Sequence, residues 1–331
     1  MKTDVLCMGE AVVDFLTDET DKGIAGSASY TRAAGGAPAN VAVGLARLGL
    51  VSAFLGKVGG DQFGDFLASS LSSYGVNTAN LIRDPEYLTT LFFIAGRSDG
   101  KKDMLCYRSP GADIMIRPDE VSEDAVKNAR VFHFGSLSLS RFPSRDAVYT
   151  ALGYARHHGV FVTFDPNYRA TAWDNPLIAR GEVLGAMQYA DLVKISDEEW
   201  QTLMGDASFE EGTGRMMEMG VSLAAVTMGE KGTYYRTANS SGTVKTPQVA
   251  YLDSLGAGDS FMSGLIYSLL SRGMIDGKHL LHDKPPAPSI AFANTAGALA
   301  VTKRGAMPAL PGLNEIAELL GKYGTEGAKL C

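Results

Sequence analysis

Short runs of apolar residues alternate along this chain with longer stretches of helical spacing. The runs VLCMG, SAFLGKVG, VFHFGSL, VFVTFDPN, DLVKIS and LAAVTMG predict strands buried on both faces. Between them, APANVAVGLARLG, DQFGDFLASSLSSYG, SRDAVYTALGYARHHG and FEEGTGRMMEMG carry apolar residues at helical intervals. This alternation predicts an α/β fold: a doubly wound, mostly parallel sheet with helices on both faces. In such sheets a ligand sits beyond the carboxyl ends of the strands.

Two segments break the rhythm. Residues 12–36 are polar and turn-rich, with short extended pieces. Residues 88–116 predict a hairpin, with RSDGKKD as the turn between two apolar runs. Both fit a small β lobe set on the main sheet; ordinary surface excursions are the plainer alternative.

Composition narrows the function. A chain of 331 residues with 45% hydrophobic content can bury a large core. Its formal net charge of -7 argues against a nucleic-acid partner, which favours a basic face. Cys7, Cys106 and Cys331 are scattered and odd in number, so neither a disulfide framework nor a zinc site is indicated. The opening MKTDVLCMGE reads as a first strand rather than a signal peptide. No apolar run is long enough to span a membrane. The expectation is a soluble cytoplasmic protein without a membrane partner.

The common nucleotide loops are missing. Four Gly-Lys pairs are followed by Val58, Lys102, His279 and Tyr323, never by Ser or Thr, so none is a P-loop. No G-x-G-x-x-G follows the first strand, and G-x-S-x-G, H-E-x-x-H and the protein-kinase set are absent. His133, inside VFHFG, reads as a satisfied strand residue.

The sharpest signal is DSLGAGDSF, residues 253–261. Beyond Gly258, the positions Met262, Leu265, Ile266, Leu269 and Leu270 make one helix face, so a helix starts near Gly256–Asp259. A helix start offers unpaired amides and partial positive charge. Gly256, Ala257 and Gly258 let that backbone approach a ligand, which makes an anion hole of the kind that holds phosphate. A carboxylate there, Asp259, suits a base that deprotonates a hydroxyl attacking phosphorus. An aspartate is also an ordinary stabilising residue in a helix's first turn. On these residues alone, both readings stand.

Two separated signatures in order resolve this. GGAPANVAVGLARLG (residues 35–49) and DSLGAGDSFMSGL (residues 253–265) resemble those of the ribokinase-like, or phosphofructokinase-B, carbohydrate kinases. GKVGGDQFG, FDPNYR, DLVKISDEE, TMGEKG and AFANTAGALAVTKRGAMPALP fall in family order, and the likeness spans essentially the whole chain. The resemblance implies one kinase domain over residues 1–331. It also implies a small β-sheet lid, drawn from about 12–34 and 88–116, that closes over a sugar and often pairs in a homodimer.

It also implies roles. Asp259 matches the catalytic base, and Gly256, Ala257 and Gly258 the anion hole. Asp14 matches the aspartate that accepts sugar hydroxyl bonds; Gly35 and Gly36 bring backbone to the sugar, and Asn40 donates and accepts there. Arg169, in NYR beside Asn167, is a candidate clamp on the transferring phosphate. For ATP the matching residues are Lys194, Thr227, Gly229, Gly232, Gly256, Gly258 and Asn294. Glu199 is implied in binding Mg²⁺ through water. The family commonly has Asn where this chain has Ser196, and two threonines where it has Ser254 and Leu255. Backbone ligands do not depend on side chains, so Asp253, Leu255, Ala300, Lys303 and Gly305 remain candidates for a monovalent cation, K⁺.

GEAVVDF, YRSPGADIMI and LVKISDEE are most similar to the fructokinase branch. That implies transfer of the ATP γ-phosphate to the 6-hydroxyl of D-fructose, with Arg108 reaching from the lid to sugar or phosphate. Ribose, 2-keto-3-deoxygluconate or a nucleoside as acceptor keeps the same machinery. A non-catalytic sugar sensor is a third reading, against which the intact GAGD argues, and a nucleotide-cofactor oxidoreductase a distant fourth.

Overall fold

The computed structural model describes residues 2–99, 102–282 and 284–323. In chain order its strands are β1 (Thr3–Met8), β2 (Val12–Thr17), β3 (Tyr30–Gly35), β4 (Ser52–Gly59), β5 (Asn77–Asp84), β6 (Leu91–Gly96) and β7 (Lys102–Tyr107). β8 (Ala129–Gly135), β9 (Phe161–Asp165), β10 (Leu192–Ser196), β11 (Leu223–Thr227), β12 (Thr233–Thr237) and β13 (Ser241–Val244) follow, and then a short antiparallel pair, β14 (Ile275–Asp276) and β15 (His279–Leu280).

The large sheet has nine strands in the order β13-β12-β11-β10-β9-β8-β1-β4-β5. Every neighbouring pair from β5 to β11 is parallel. The exception is the edge, where β11, β12 and β13 run antiparallel. The apolar run of each central strand is explained by two cores. Val5, Cys7, Val131 and Phe161 face the helices Ala37–Arg47, Ala257–Ser271 and Ala287–Ala300. Their neighbours Leu6, Met8, Phe132, Phe134 and Val162 face the helices Ser144–His158, Pro176–Met187 and Phe209–Glu218. A strand with helices on both sides has no polar face to offer, so alternation disappears from its sequence. His133 lies in this sheet, bonded through Nδ1 to Thr163 Oγ1 at 3.0 Å. Burial pushes its pKa down to about 3, so the ring is neutral.

The two irregular segments combine in a second sheet of four strands, β3-β2-β6-β7. β6 and β7 form the expected hairpin, Leu91 opposite Tyr107; part of its turn, at positions 100 and 101, lies outside the described residues, as does Cys331. β2 pairs with β6 in parallel, although they are far apart in sequence. This places Asp14, on β2, over the carboxyl ends of the large sheet.

Candidate active site

The carboxyl ends of β1, β8, β9, β10 and β11 open into a cleft of about 690 Å³, roofed by Val12, Phe92, Ile94 and Met104 of the small sheet. Asp14, Gly36, Asn40, Arg169, Lys194, Glu199, Thr227, Gly229, Leu255, Gly256, Gly258 and Asp259 all line it.

Asp259 stands in the first turn of the helix Ala257–Ser271, whose N-cap, Gly256, has φ 78° and supplies no side-chain cap. A β-carbon is disfavoured at that φ, and the absent cap leaves first-turn amides for a ligand. The Asp259 carboxylate is buried and bracketed by two amides. Asn40 Nδ2 donates to Oδ2 at 2.8 Å, and Asn167 Nδ2 to Oδ1 at 3.0 Å. Asn167 holds this position from φ 43°, an uncommon conformation that asparagine tolerates better than most residues. Its own N–H donates to Asp165 Oδ1 at 3.1 Å. Burial pushes Asp259 up to about 6; the Asn40 bond opposes this, the Asp165 charge adds to it, and Lys194 and Arg169 oppose it.

Asp14 is 6% exposed, and burial, with the charge of Asp259, pushes it up to about 7 against the pull of Lys102 and Arg169. Gly35 is needed beside it: a β-carbon there would collide with Asp14 Oδ2. Gly36, at φ 105°, would drive a β-carbon into the Glu10 carbonyl oxygen. Asn40 lines the cleft, and its Oδ1 is buried with no hydrogen-bond partner among the described residues.

At the other end Lys194 Nζ, buried, pairs with Asp165 Oδ2 at 3.0 Å. Burial works against the ammonium, but the charges of Asp165 and Glu199 outweigh it and hold Lys194 above its usual range. A β-carbon on Gly258 would meet Lys194 Nζ at 2.9 Å, so the ammonium borders the helix start. Arg169 is exposed, and among the described residues its Nη1 donates to the Tyr168 carbonyl at 3.1 Å. It lines the cleft without touching Asp14 or Asp259.

Glu199 accepts at Oε2 from Ser196 N at 2.9 Å and Ser196 Oγ at 2.7 Å, and at Oε1 from Tyr168 N. Ser196 in turn caps the helix Asp197–Met204, which accounts for serine at this position. Both Glu199 and Asp165 are thus engaged, and no cluster of three ligand-type side chains occurs among the described residues. This donor set suits Mg²⁺ held through its own waters, not by direct coordination.

Four of the expected assignments fall wholly or partly outside the cleft lining. Arg108 does not line the cleft: its Nε donates to Asp113 Oδ2 at 2.8 Å and its Nη2 pairs with the same oxygen. A buried guanidinium needs that partner, so the arginine is tied inside the hairpin's base. Asn294 is also outside the lining. Its Oδ1 accepts from Thr233 Oγ1 at 2.6 Å, and its Nδ2 donates to the Val244 and Lys245 carbonyls at 2.9 and 3.2 Å. It stitches its helix to β12 and β13. Gly232 lies in the turn before β12, away from the cleft lining. Of the cation candidates, Asp253, Leu255 and Gly305 meet, because the Asp253 carboxylate accepts from Leu255 N at 3.0 Å and Gly305 N at 3.1 Å. Ala300 and Lys303 flank Val301 in the turn ending the helix Ala287–Ala300, and the Val301 carbonyl accepts from Leu252 N at 2.8 Å and Asp253 N at 3.2 Å, so this turn adjoins the same loop.

Sequence reasoning missed two contacts. Lys102, on β7, reaches Asp253 Oδ1 at 2.6 Å and ties the small sheet to the loop before Gly256. This bond and those from Gly305 and Leu255 outweigh burial and hold Asp253 below the usual carboxylate range. The second is the Asn167–Asp259 bond. DPN after a strand was its only signal, and nothing local ties it to a residue so far along the chain.

The geometry has clear relatives. The pattern of the pfkB family carbohydrate kinases matches residues 2–312. The chain is 37% identical over 309 residues to the probable fructokinase-2 of Arabidopsis thaliana, covering 93% of this chain and 92% of that protein. The ATP-bound fructokinase of Xylella fastidiosa superposes with a TM-score of 0.87 at 32% identity, covering 98% of this chain and 99% of its own. A double mutant of the Vibrio cholerae O395 fructokinase, bound to fructose, ADP and potassium ion, gives 0.86 at 34% identity, covering 96% and 98%. Sheet order, an uncapped GAGD helix start and these matches agree: the chain belongs to the pfkB family of carbohydrate kinases.

Proposed function

We propose that this chain transfers the γ-phosphate of ATP to the 6-hydroxyl of D-fructose. The observation that carries the reading is the Asp259 carboxylate, poised by Asn40 and Asn167 at an uncapped helix N-terminus in a cleft it shares with Asp14. Relatives bound to ATP, or to fructose with ADP and potassium, support both substrates.

In the proposed reaction, Asp14 and Asn40 Oδ1 accept sugar hydroxyls and aim the primary hydroxyl at phosphorus. Asp259 takes its proton as the oxygen attacks. The amides at Gly256–Gly258 hold the developing negative charge, with Lys194 and Arg169 as nearby cations. Thr227 and Gly229 line the ATP side. Glu199 and Asp165 would hold Mg²⁺ through its own waters, which would supply neutralisation of phosphate charge, and the loop around Asp253 would hold K⁺. The small sheet acts as a lid that excludes water, and the Lys102–Asp253 pair holds it down.

Two further readings belong here. Phe93 stacks on Phe15 at 5.1 Å and meets Tyr107 edge-on, while Leu105 and Tyr107 on the same sheet are exposed. This surface suits a homodimer through the lid, and light scattering that returned a monomer would remove it. A cytoplasmic setting agrees with the free thiols of Cys7 and Cys106. Among the described residues no helix is long and apolar enough to cross a membrane.

The testing experiment is ADP release from Mg-ATP with D-fructose, D-ribose, 2-keto-3-deoxygluconate or no sugar, with potassium present. Turnover is expected to be fastest with fructose. Preference for another sugar keeps the chemistry and replaces the acceptor; no sugar-dependent ADP overturns the reading.

A further inference from the structure

Glu10 follows β1 and lines the cleft on the same wall as Asp14, Gly36 and Asn40. It is 4% exposed. One of its carboxylate oxygens is used within the fold, since Oε1 accepts from Ala37 N at 2.9 Å, at the start of the helix Ala37–Arg47. The other, Oε2, is buried with no hydrogen-bond partner among the described residues. A buried acceptor left unpaired is costly, and a binding site is where such a cost is recovered. The backbone around it is tightly placed, since Gly36 packs against the Glu10 carbonyl. Arg108 and Asp113, whose charges act on Glu10, pair with each other, and among the described residues neither gives Glu10 a hydrogen bond.

The chemistry of this wall selects the ligand. Among the described residues, Glu10 Oε2 and Asn40 Oδ1 are acceptors without a protein donor at hydrogen-bond distance, and the Asp14 carboxylate stands beside them. Lys102 and Arg169 also line the cleft and act on Asp14, but a phosphate or carboxylate set against Glu10, Asp14 and Asn40 Oδ1 would face three acceptors. A neutral polyol brings one hydroxyl donor for each. We propose that Glu10 accepts a hydrogen bond from a hydroxyl of the bound sugar through Oε2 and is a specificity-determining residue for the acceptor.

This rests on the reading that the sugar lies beside Asp14, so the test treats the two carboxylates separately. The sugar is whichever one the wild-type chain phosphorylates in the assay above. Its affinity is measured by calorimetry for wild type, Glu10→Gln, Glu10→Ala and Asp14→Ala, and repeated with monodeoxy analogues lacking each non-reacting hydroxyl in turn. Glu10→Gln keeps an oxygen for Ala37 N and so preserves the helix start, which guards against a folding defect in the alanine variant. Both Glu10 variants are expected to bind the sugar at least tenfold more weakly, with the KM for ATP within about twofold of wild type. One deoxy analogue is expected to bind wild type and both variants alike, identifying the hydroxyl that Glu10 meets. If sugar affinity is unchanged in both Glu10 variants, or every deoxy analogue is penalised as heavily in them as in wild type, the inference is overturned. Loss in the Glu10 variants without loss in Asp14→Ala supports Glu10 and displaces Asp14. The reverse pattern keeps the proposed function and removes this inference alone.

Discussion

Asp259→Asn is expected to lower kcat by roughly 10²–10⁴, the usual range for a positioned base, while sugar affinity stays near wild type. The amide is close to isosteric, so the cleft keeps its shape. It cannot take the proton, and one end of it presents N–H groups to Asn40 or Asn167, so one of those amides must turn. The variant should also be the more stable protein at neutral pH. Burial raises the folded pKa of Asp259 from 3.8 to about 6, so between these values the folded state binds more protons than the unfolded one. Stability contributed by this group therefore falls as pH rises from about 4 to about 6, and stays lost above. The amide has no such loss, and denaturant titrations at pH 5 and pH 8 should show its advantage growing toward the higher pH. In wild type the same ionisation sets an acid limb near pH 6 in kcat/KM, below which activity declines. Near-wild-type turnover in Asp259→Asn would remove the base assignment.

Asp14→Ala is the second large effect, and it falls on binding. The Asp14 carboxylate lines the cleft, and each charge-assisted bond it accepts from a sugar hydroxyl contributes about 1.5–3 kcal/mol. The KM for sugar should rise roughly 10–150-fold for each bond lost, with a smaller change in the KM for ATP. Removing a buried carboxyl that Asp259 repels should leave the apo protein as stable as wild type or more so. Weaker binding in a sturdier protein marks a residue kept for its ligand. An unchanged KM for sugar would make Asp14 a structural residue.

Asp259 was legible in the sequence as a carboxylate at a glycine-flanked helix start, while its role and Asp14 came from the family resemblance. Gly256 and Gly258 mark a helix start, because the backbone there needs a left-handed residue and an open approach. The central strands were legible because burial on both faces removes polar alternation, as in VFHFG of β8 and LAAVT of β11. The antiparallel edge, β12 and β13, was not read, since its alternating pattern is short and lies in a polar stretch.

The sequence by itself determined the parallel α/β frame and the helix that presents Asp259. These depend on periodicity and backbone freedom, which act over a few residues. Only the tertiary structure decided the partners. Asn40 and Asn167 converge on Asp259 from opposite sides, Lys102 crosses from the small sheet to Asp253, Arg108 turns to Asp113, and Asn294 is consumed by β12 and β13. A side chain's hydrogen-bond partner is chosen by which elements the packed core brings within about 3 Å, and most of these pairs join residues from distant parts of the chain. The free Oε2 of Glu10 shows the same rule from the other side: an unmet acceptor is visible only once every neighbour has been placed.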